Sequence, residues 1–404
     1  MARFGGYGGF IAQFCPPAKC ATGVRSRMSE WKTRSRERTP AALRILRGME
    51  ATVPAGIDYE GVSKYFAEHV PGGASPLTIS LISGGKSNLT YKVSSGETSW
   101  VLRRPPLGHV LPTAHDMARE YRVLSALAAT NVPAPRTIAL CEDSTVNGAP
   151  FYVMEYREGV IIAESIPEGY ATTPEERAAM CRGLVETLVK LHAVDYDAVG
   201  LSDFGRPEGY LERQVRRWSE QWGRSETRPI PEIQEVIRRL KNSIPPSPPP
   251  AIVHGDYRLG NMMLAEDDPG RVVAVLDWEM CTLGDPLSDL GYTLGYWGEP
   301  TDDPDYNLAR PTSSVTTAPG FFTRAELVAY YGKLSGRDVS NIEFYQVLAF
   351  YKLAVITEGI HARFLAGETV GEGFEGYGER TENLVRFALQ TADAAADPRL
   401  RGVS

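Results

Sequence analysis

Three short apolar runs, Ala251–Val253, Met262–Leu264 and Val272–Leu276, constrain the fold more than any other stretch of this chain. Runs of this length bounded by turn residues read as buried strands, and the turn "EDDPGR" makes the last two a hairpin. The break before the hairpin, "HGDYRLGN", sets Asp256 and Asn261 five residues apart. Gly255-Asp256 and Gly260-Asn261 both tolerate left-handed backbone, so an ordinary loop is one reading of that break. The hairpin itself ends in Asp277-Trp278-Glu279. A hairpin that starts just past Asn261 and closes at Asp277 brings an amide and a carboxylate side by side, with Asp256 on the loop before them. Those are hard oxygen ligands suited to Mg²⁺, which takes the rest of its shell from water and nucleotide phosphates. Asp256 is then left as a base for a hydroxyl nucleophile.

The surrounding chain is large enough to hold such a site rigidly. Its 404 residues suffice for two lobes, and a unit of this size buries about three quarters of its extended surface. With 43% hydrophobic residues and no apolar run near the ~18 residues of a membrane span, it reads as non-membrane. Five scattered cysteines fit reduced thiols in a cytoplasmic protein, and Cys15 and Cys20 lack a second pair for a metal. The net charge of −7 hides an asymmetry, because residues 1–50 carry ten Lys/Arg against three Asp/Glu. That segment reads as a disordered basic extension, an over-extended start or a targeting segment. Without regularly spaced aromatics it gives no support to a nucleic-acid arm.

From residue 58 to 156 the pattern predicts a small lobe. "LTISLISGGKSNLTYKVSSGETSWVLRRPP" alternates as three strands with glycine breaks, "HDMAREYRVLSALAAT" is helical, and "RTIALCED" and "APFYVMEYREG" are two more strands. Residues 157–395 read as a larger, mainly helical lobe, followed by a tail over 396–404. Thr173-Pro174-Glu175-Glu176 is a capping box opening a long helix that ends at His192, a packed core histidine. Helical pattern continues over 209–242, stops at the stiff connector "SIPPSPPP", and returns over 343–367 and 381–395.

Loop acid, asparagine five later, hairpin and strand-terminal Asp is the order of the protein-kinase catalytic loop and metal-binding Asp. With His254-Gly255-Asp256 for His-Arg-Asp and Asp277-Trp278-Glu279 for Asp-Phe-Gly, the chain resembles the aminoglycoside phosphotransferase and choline-kinase-like family from roughly residue 75 to 390. "VLRRPP", "HDMAREYRVLSAL" and "APFYVMEYREG" are similar to the kinase-like domain fused to certain acyl-CoA dehydrogenases. The resemblance implies an α+β, two-lobed protein-kinase-like fold that uses ATP and Mg²⁺ on a small hydroxylated molecule, with neither nucleic acid nor membrane as partner. It implies Asp256 as catalytic base and Asn261 and Asp277 as metal ligands. It puts Arg103 in the place of the phosphate-contacting lysine, with Arg104 competing, and Glu120 as its helix partner. Backbone around Gly85, Ser87 and Asn88 would meet phosphates, and Met154, Glu155 and Tyr156 would form the adenine hinge. His254 and Asp289 would brace the loop, with Asp285 also structural.

Other chemistries fit less well. Gly85-Lys86-Ser87 matches the end of a Walker A loop, but Ser80 stands where that motif needs glycine and a strand pattern follows. His254, Asp256 and Asp277 lack a second histidine for a hydrolase metal site, and no Gly-x-Ser-x-Gly elbow is present. A different-class rival is a catalytically inactive kinase-like module that binds nucleotide or metabolite. For the acceptor, the acidic run "GEPTDDPDYN" would attract a polycationic aminoglycoside or be a solvated loop. Conversely Lys352, His361 and Arg363 on one helix are candidates for meeting an anionic acceptor such as a hydroxyacyl-CoA, and Arg258 and Glu279 near the motif are further candidates for the acceptor site.

Overall fold

A computed structural model describes residues 53–83, 88–107, 116–309, 314–369 and 373–403. The basic extension, Cys15, Cys20, Gly85 and Ser87 lie outside the described residues. The chain runs through α1 (Tyr59–His69), β1 (Thr78–Ser83), β2 (Leu89–Ser95), β3 (Thr98–Arg104), α2 (Met117–Leu127), β4 (Thr137–Cys141), α3 (Ser144–Asn147) and β5 (Phe151–Glu155). These form one lobe around an antiparallel sheet of order β1-β2-β3-β5-β4. The apolar β5 lies inside this sheet, as its composition predicts.

Strand period decides which side chains reach the cleft. Trp100 and Leu102 of β3 join Tyr91, Val93 and Val153 in a core under α1, while Val101, Tyr152 and Met154 face α2 and the second lobe. Arg103 falls on the second face and Arg104 on the first, where its guanidinium donates to the carbonyls of Gly56 and Asn147. The competition between the two arginines is thereby resolved by register. Helix α1 has no counterpart in the sequence reading. It carries Gly61, a poor helix former, yet a Cβ there would sit 2.0 Å from the Val146 carbonyl, so the glycine is what allows α1 to lie on α3.

The second lobe continues with β6 (Val160–Ile161), α4 (Pro174–His192), α5 (Tyr210–Ser225), α6 (Pro231–Asn242), β7 (Ala251–Val253), β8 (Met262–Leu264), β9 (Val272–Val275) and β10 (Thr282–Gly284). It closes with α7 (Leu287–Gly295), α8 (Pro304–Leu308), α9 (Arg324–Ser335), α10 (Ile342–Leu365), α11 (Tyr377–Asp393) and α12 (Pro398–Arg401). The capping box at Thr173 and Glu176 opens α4. The single helical stretch read over 209–242 is two helices, because Pro229 and Pro231 interrupt it. Strand β7 pairs with β10, and β8 lies between β6 and β9 in a second small sheet.

Helix α10 is buried along most of its length and packs closely on α7. The approach depends on glycine: a Cβ at Gly291 would lie 2.5 Å from the Tyr345 Cβ and 2.7 Å from its backbone, and one at Gly295 would lie 3.2 Å from Ala349. Gly291→Ala is expected to destabilise the fold by about 1–3 kcal/mol through overpacking. Gly359→Ala on α10, whose Cβ would find only Ser225 at 4.0 Å, should stabilise by up to about 1 kcal/mol. Urea midpoints of the two variants compared with the parent chain check this; equal effects would refute the packing account.

Candidate active site

The loop after β7 is held chiefly through its backbone. Asp289, at the start of α7 and fully buried, accepts from the His254 N–H at 2.7 Å and the Gly255 N–H at 2.8 Å. Burial pushes this carboxyl up, but its bonds from His192 and Gly255 outweigh that and hold it below the usual range. His192 lies 3.3 Å from Asp289 through Nε2 and 2.8 Å from the Tyr331 hydroxyl through Nδ1. Gly255 has φ +85°, and a Cβ there would meet the Met280 carbonyl at 2.6 Å, so both space and conformation call for glycine. His254 accepts from the Asp256 N–H at 3.2 Å on Nδ1, which makes its Nε2 the donor to the Leu276 carbonyl at 3.0 Å. It braces the loop and points at no metal-binding group.

Asp256 and Asn261 face one another across the loop. The Asn261 amide donates from Nδ2 to the Asp256 carbonyl at 2.8 Å and to its Oδ2 at 2.6 Å. The Leu276 N–H then donates to the Asn261 carbonyl at 2.8 Å, tying the start of the hairpin to its end, where Asp277 follows in left-handed conformation with φ +66°. A non-glycine residue held there is a strained position of the kind found at functional sites.

Asp277 meets the first lobe through Arg103. The guanidinium, 3% exposed, lies 2.6 Å from Asp277 Oδ1 by Nη2, 2.9 Å from Glu120 Oε2 by Nε, and 3.7 Å from Glu279. Only the Asp277 contact is an aligned hydrogen bond; the Glu120 contact is an ion pair without N–H alignment. Glu120 also accepts from the Tyr152 hydroxyl at 3.0 Å and from Asn88 Nδ2 at 2.7 Å, and Asn88 reaches Glu279 at 3.2 Å. Burial raises the Glu120 carboxyl despite these partners. Glu279 thus sits with the Arg103 group. Tyr152 was missed from the sequence, although strand period puts it on the same face as Met154.

Three carboxylates against one guanidinium leave a local surplus of negative charge, which a divalent cation would neutralise. No cluster of three or more ligating His, Cys, Asp or Glu side chains occurs among the described residues. Asn261 and Asp277 offer an amide oxygen and a carboxylate, the hard donors that a Mg²⁺ completed by phosphate oxygens and water would need.

In the segment expected to meet adenine, Met154 pairs with Val101, and the Glu155 N–H is taken by the Arg136 carbonyl at 2.9 Å. The Tyr156 ring lies 4.0 Å from Lys92 Nζ. On the far side of Asp256, Arg258 Nε lies 3.4 Å from Oδ1, with its guanidinium 5.1 Å from the Tyr296 ring. Lys352 donates to the Gly255 carbonyl at 2.6 Å. His361 and Arg363, nine and eleven residues farther along α10, are not brought to the loop; the His361 ring stacks on Phe364 at 6.5 Å. Asp285 accepts from Tyr345 at 2.7 Å and from the Leu287 N–H at 3.0 Å, a structural cap pushed up to about 6 by burial. The acidic run is partly offset from within the fold: Arg324 binds Asp302 and lies 3.7 Å from Glu299, while Arg386 reaches Asp303 at 3.0 Å and Asp305 at 2.8 Å.

Comparison with known proteins agrees with this geometry. The family model described as the phosphotransferase enzyme family matches residues 78–316. The chain is 34% identical over 359 residues to acyl-CoA dehydrogenase family member 11 of Rattus norvegicus, covering 85% of this chain and 45% of that protein. With family member 10 of Mus musculus it shares 34% over 319 residues, covering 78% and 29%. The chain thus spans less than half the length of these relatives. Among solved structures, one from Ralstonia eutropha described as an aminoglycoside phosphotransferase superposes with a TM-score of 0.73 at 33% identity, covering 84% of this chain and 100% of that one. Choline kinase of Cryptosporidium parvum shares the fold alone, with a TM-score of 0.58 at 13% identity, covering 83% of this chain and 96% of that one. The described residues include no helix long and apolar enough to cross a membrane. By the model that covers its catalytic loop and hairpin, and by relatives matched over most of its length, the chain belongs to the phosphotransferase enzyme family.

Proposed function

We propose that the chain transfers the γ-phosphoryl group of ATP to an alcohol of a small molecule. The observation that carries this reading is the meeting of Asp256 and Asn261 on one loop with Asp277 at the end of the hairpin, which Arg103 and Glu120 back from the other lobe. Asp256 Oδ1 would accept the acceptor's hydroxyl proton as that oxygen bonds to the γ-phosphorus. The bond from phosphorus to the β-bridging oxygen breaks, and ADP leaves with its electron pair. Asn261 keeps the Asp256 carboxylate turned by bonding its other oxygen. Mg²⁺, held by Asn261 and Asp277 with the nucleotide, would supply charge neutralisation on the phosphates. Arg103 would contact those phosphates with a planar fork where kinases use a point charge.

For the acceptor we favour a hydroxyacyl-CoA over an aminoglycoside. Arg258 and Lys352 put positive charge beside Asp256, and half the charge of the acidic run that a polycation would seek is offset by Arg324 and Arg386. His361 lies nine residues beyond Lys352 on α10, a rise of about 13 Å at ~1.5 Å per residue. Only an extended acceptor would span that distance. The relatives' names, acyl-CoA dehydrogenase family members 10 and 11, support the same class. The aligned bond between Arg103 and Asp277 favours a second reading, a nucleotide-binding module without turnover.

Mg²⁺-dependent ADP release is expected with hydroxyacyl-CoAs and not with aminoglycosides or choline-type alcohols. Asp256→Asn should lower kcat about 10²- to 10⁴-fold, and Asn261→Ala or Asp277→Ala should cost several kcal/mol of transition-state stabilisation. Full turnover by either metal-ligand variant would sink the assignment, and nucleotide binding with no turnover across the panel would establish the second reading. Arg103→Met, which strips a buried charge from Glu120, should cost about 3–5 kcal/mol of stability. Arg103 opposes the burial that raises Glu120, so without it the variant's carboxyl holds its proton to higher pH than the parent's, and the loss should grow as pH rises above the usual carboxyl range. Denaturant titrations at acidic and neutral pH read this; a pH-independent loss would refute it.

A further inference from the structure

We propose that Lys352 is a positioning residue for phosphoryl transfer, clamping the Gly255 carbonyl and so fixing the backbone from which Asp256 projects. The inference rests on the proposed function of Asp256. Its starting point is that the peptides on either side of Gly255 are gripped by two helices. Asp289 of α7 takes the Gly255 N–H at 2.8 Å, and Lys352 of α10 gives a proton to the Gly255 carbonyl at 2.6 Å. The carbonyl belongs to the peptide whose N–H is that of Asp256, and that N–H is bonded to His254 Nδ1. Rotation of either peptide would therefore break a hydrogen bond to α7, to α10 or to His254. Since Gly255 lacks the side chain that would restrict its own dihedrals, the restraint must come from outside.

Delivery of the ammonium is built into the helix packing. Gly291 and Gly295 let α10 approach α7 at Tyr345 and Ala349, and Lys352 follows one turn later. Its Nζ lies 4.0 Å from the Tyr292 ring centre and 5.7 Å from that of Trp218. An ammonium between aromatic faces gains cation–π attraction, but its removal from bulk water is costly. A methionine of similar length would pack there without that cost, so the charge is kept for the contact it makes.

The surroundings also set when the contact fails. The charged and titratable groups facing Lys352 are Asp256 on the loop, Asp289 and Tyr292 on α7, and Arg217 on α5. Burial lowers the ammonium from its ordinary value to about 8, with Asp256 and Asp289 holding it up and Arg217 lowering it further. Above that pH the bond to Gly255 loses its charge assistance, and the loop loosens.

Lys352→Met and Lys352→Arg distinguish this role from bulk packing, with melting temperature as the check that both fold. Hydrogen exchange of the 251–262 segment needs no substrate. It should accelerate severalfold in Lys352→Met, stay near the parent value in Lys352→Arg, and accelerate in the parent chain as pH passes 8 after correction for intrinsic exchange. In ADP-release assays Lys352→Met should lower kcat at least tenfold with the KM for ATP within about twofold, and the parent's alkaline fall near pH 8 should move upward in Lys352→Arg. Unchanged exchange and kcat in Lys352→Met overturn the proposal. A loosened segment in a chain whose parent form turns over no acceptor upholds the clamp while defeating the phosphotransferase reading. If Lys352→Met does not fold, an alkaline limb and exchange profile of Lys352→Arg identical to the parent's overturn it instead.

Discussion

The site depends on a guanidinium that strand β3, helix α2 and the hairpin end share. Arg103 is removed from water, and taking such an ion into the interior costs several kcal/mol unless its partners compensate. Glu120 does so from α2, and Asp277 and Glu279 do so from the hairpin end. The contact therefore acts as a geometric gauge: the ion is satisfied only when the small lobe, its helix and the hairpin stand in one relation. The same gauge leaves more acid than base at the centre of the cleft. A group built to be completed by a cation and phosphates would be arranged so.

A second constraint works on the backbone instead of on charge. The 254–256 segment offers its amides to Asp289 and His254 and a carbonyl to Lys352. The partners are Asp289, buried on α7, Lys352, half-buried on α10, and the loop's own His254. Helix packing thus becomes loop geometry: the glycines that let α10 approach α7 determine where an ammonium can reach. Burying Asp289 and Lys352 works against stability, and both are positioned to orient Asp256. Rigid placement of a reacting group is where phosphoryl transfer gains most, because little covalent chemistry is left to the protein.

Much of this was legible in the residues, for local reasons. Strand alternation and the capping box at Thr173 marked β1 to β5 and α4, and the spacing of Asp256, Asn261 and Asp277 marked the loop and hairpin. What escaped was set by tertiary contact. Helix α1 was hidden because Gly61 weakens the helical pattern at the very residue that lets it pack on α3. Arg103 and Arg104 are adjacent and chemically identical, so only strand register, set by pairing with β5, assigns one to the cleft. The two helices over 210–242 were read together because the apolar period resumes after Pro231, though two prolines stand between them.

The acidic run near residue 300 shows the same limit in charge. Read locally, four carboxylates in seven residues look like a patch waiting for a cation. Their partners, Arg324 and Arg386, stand about 20 and 80 residues away along the chain and arrive on α9 and α11. Once the carboxylates are partly offset, the cations nearest an acceptor beside Asp256 are Arg258 and Lys352, whose charge is of the opposite sign. A charge count over a window of sequence thus overstates the pull on a cation, because electrostatics is decided by what lies within a few ångströms and not within a few residues. The side chains around the base, drawn from α10 and the loop itself, carry the preference.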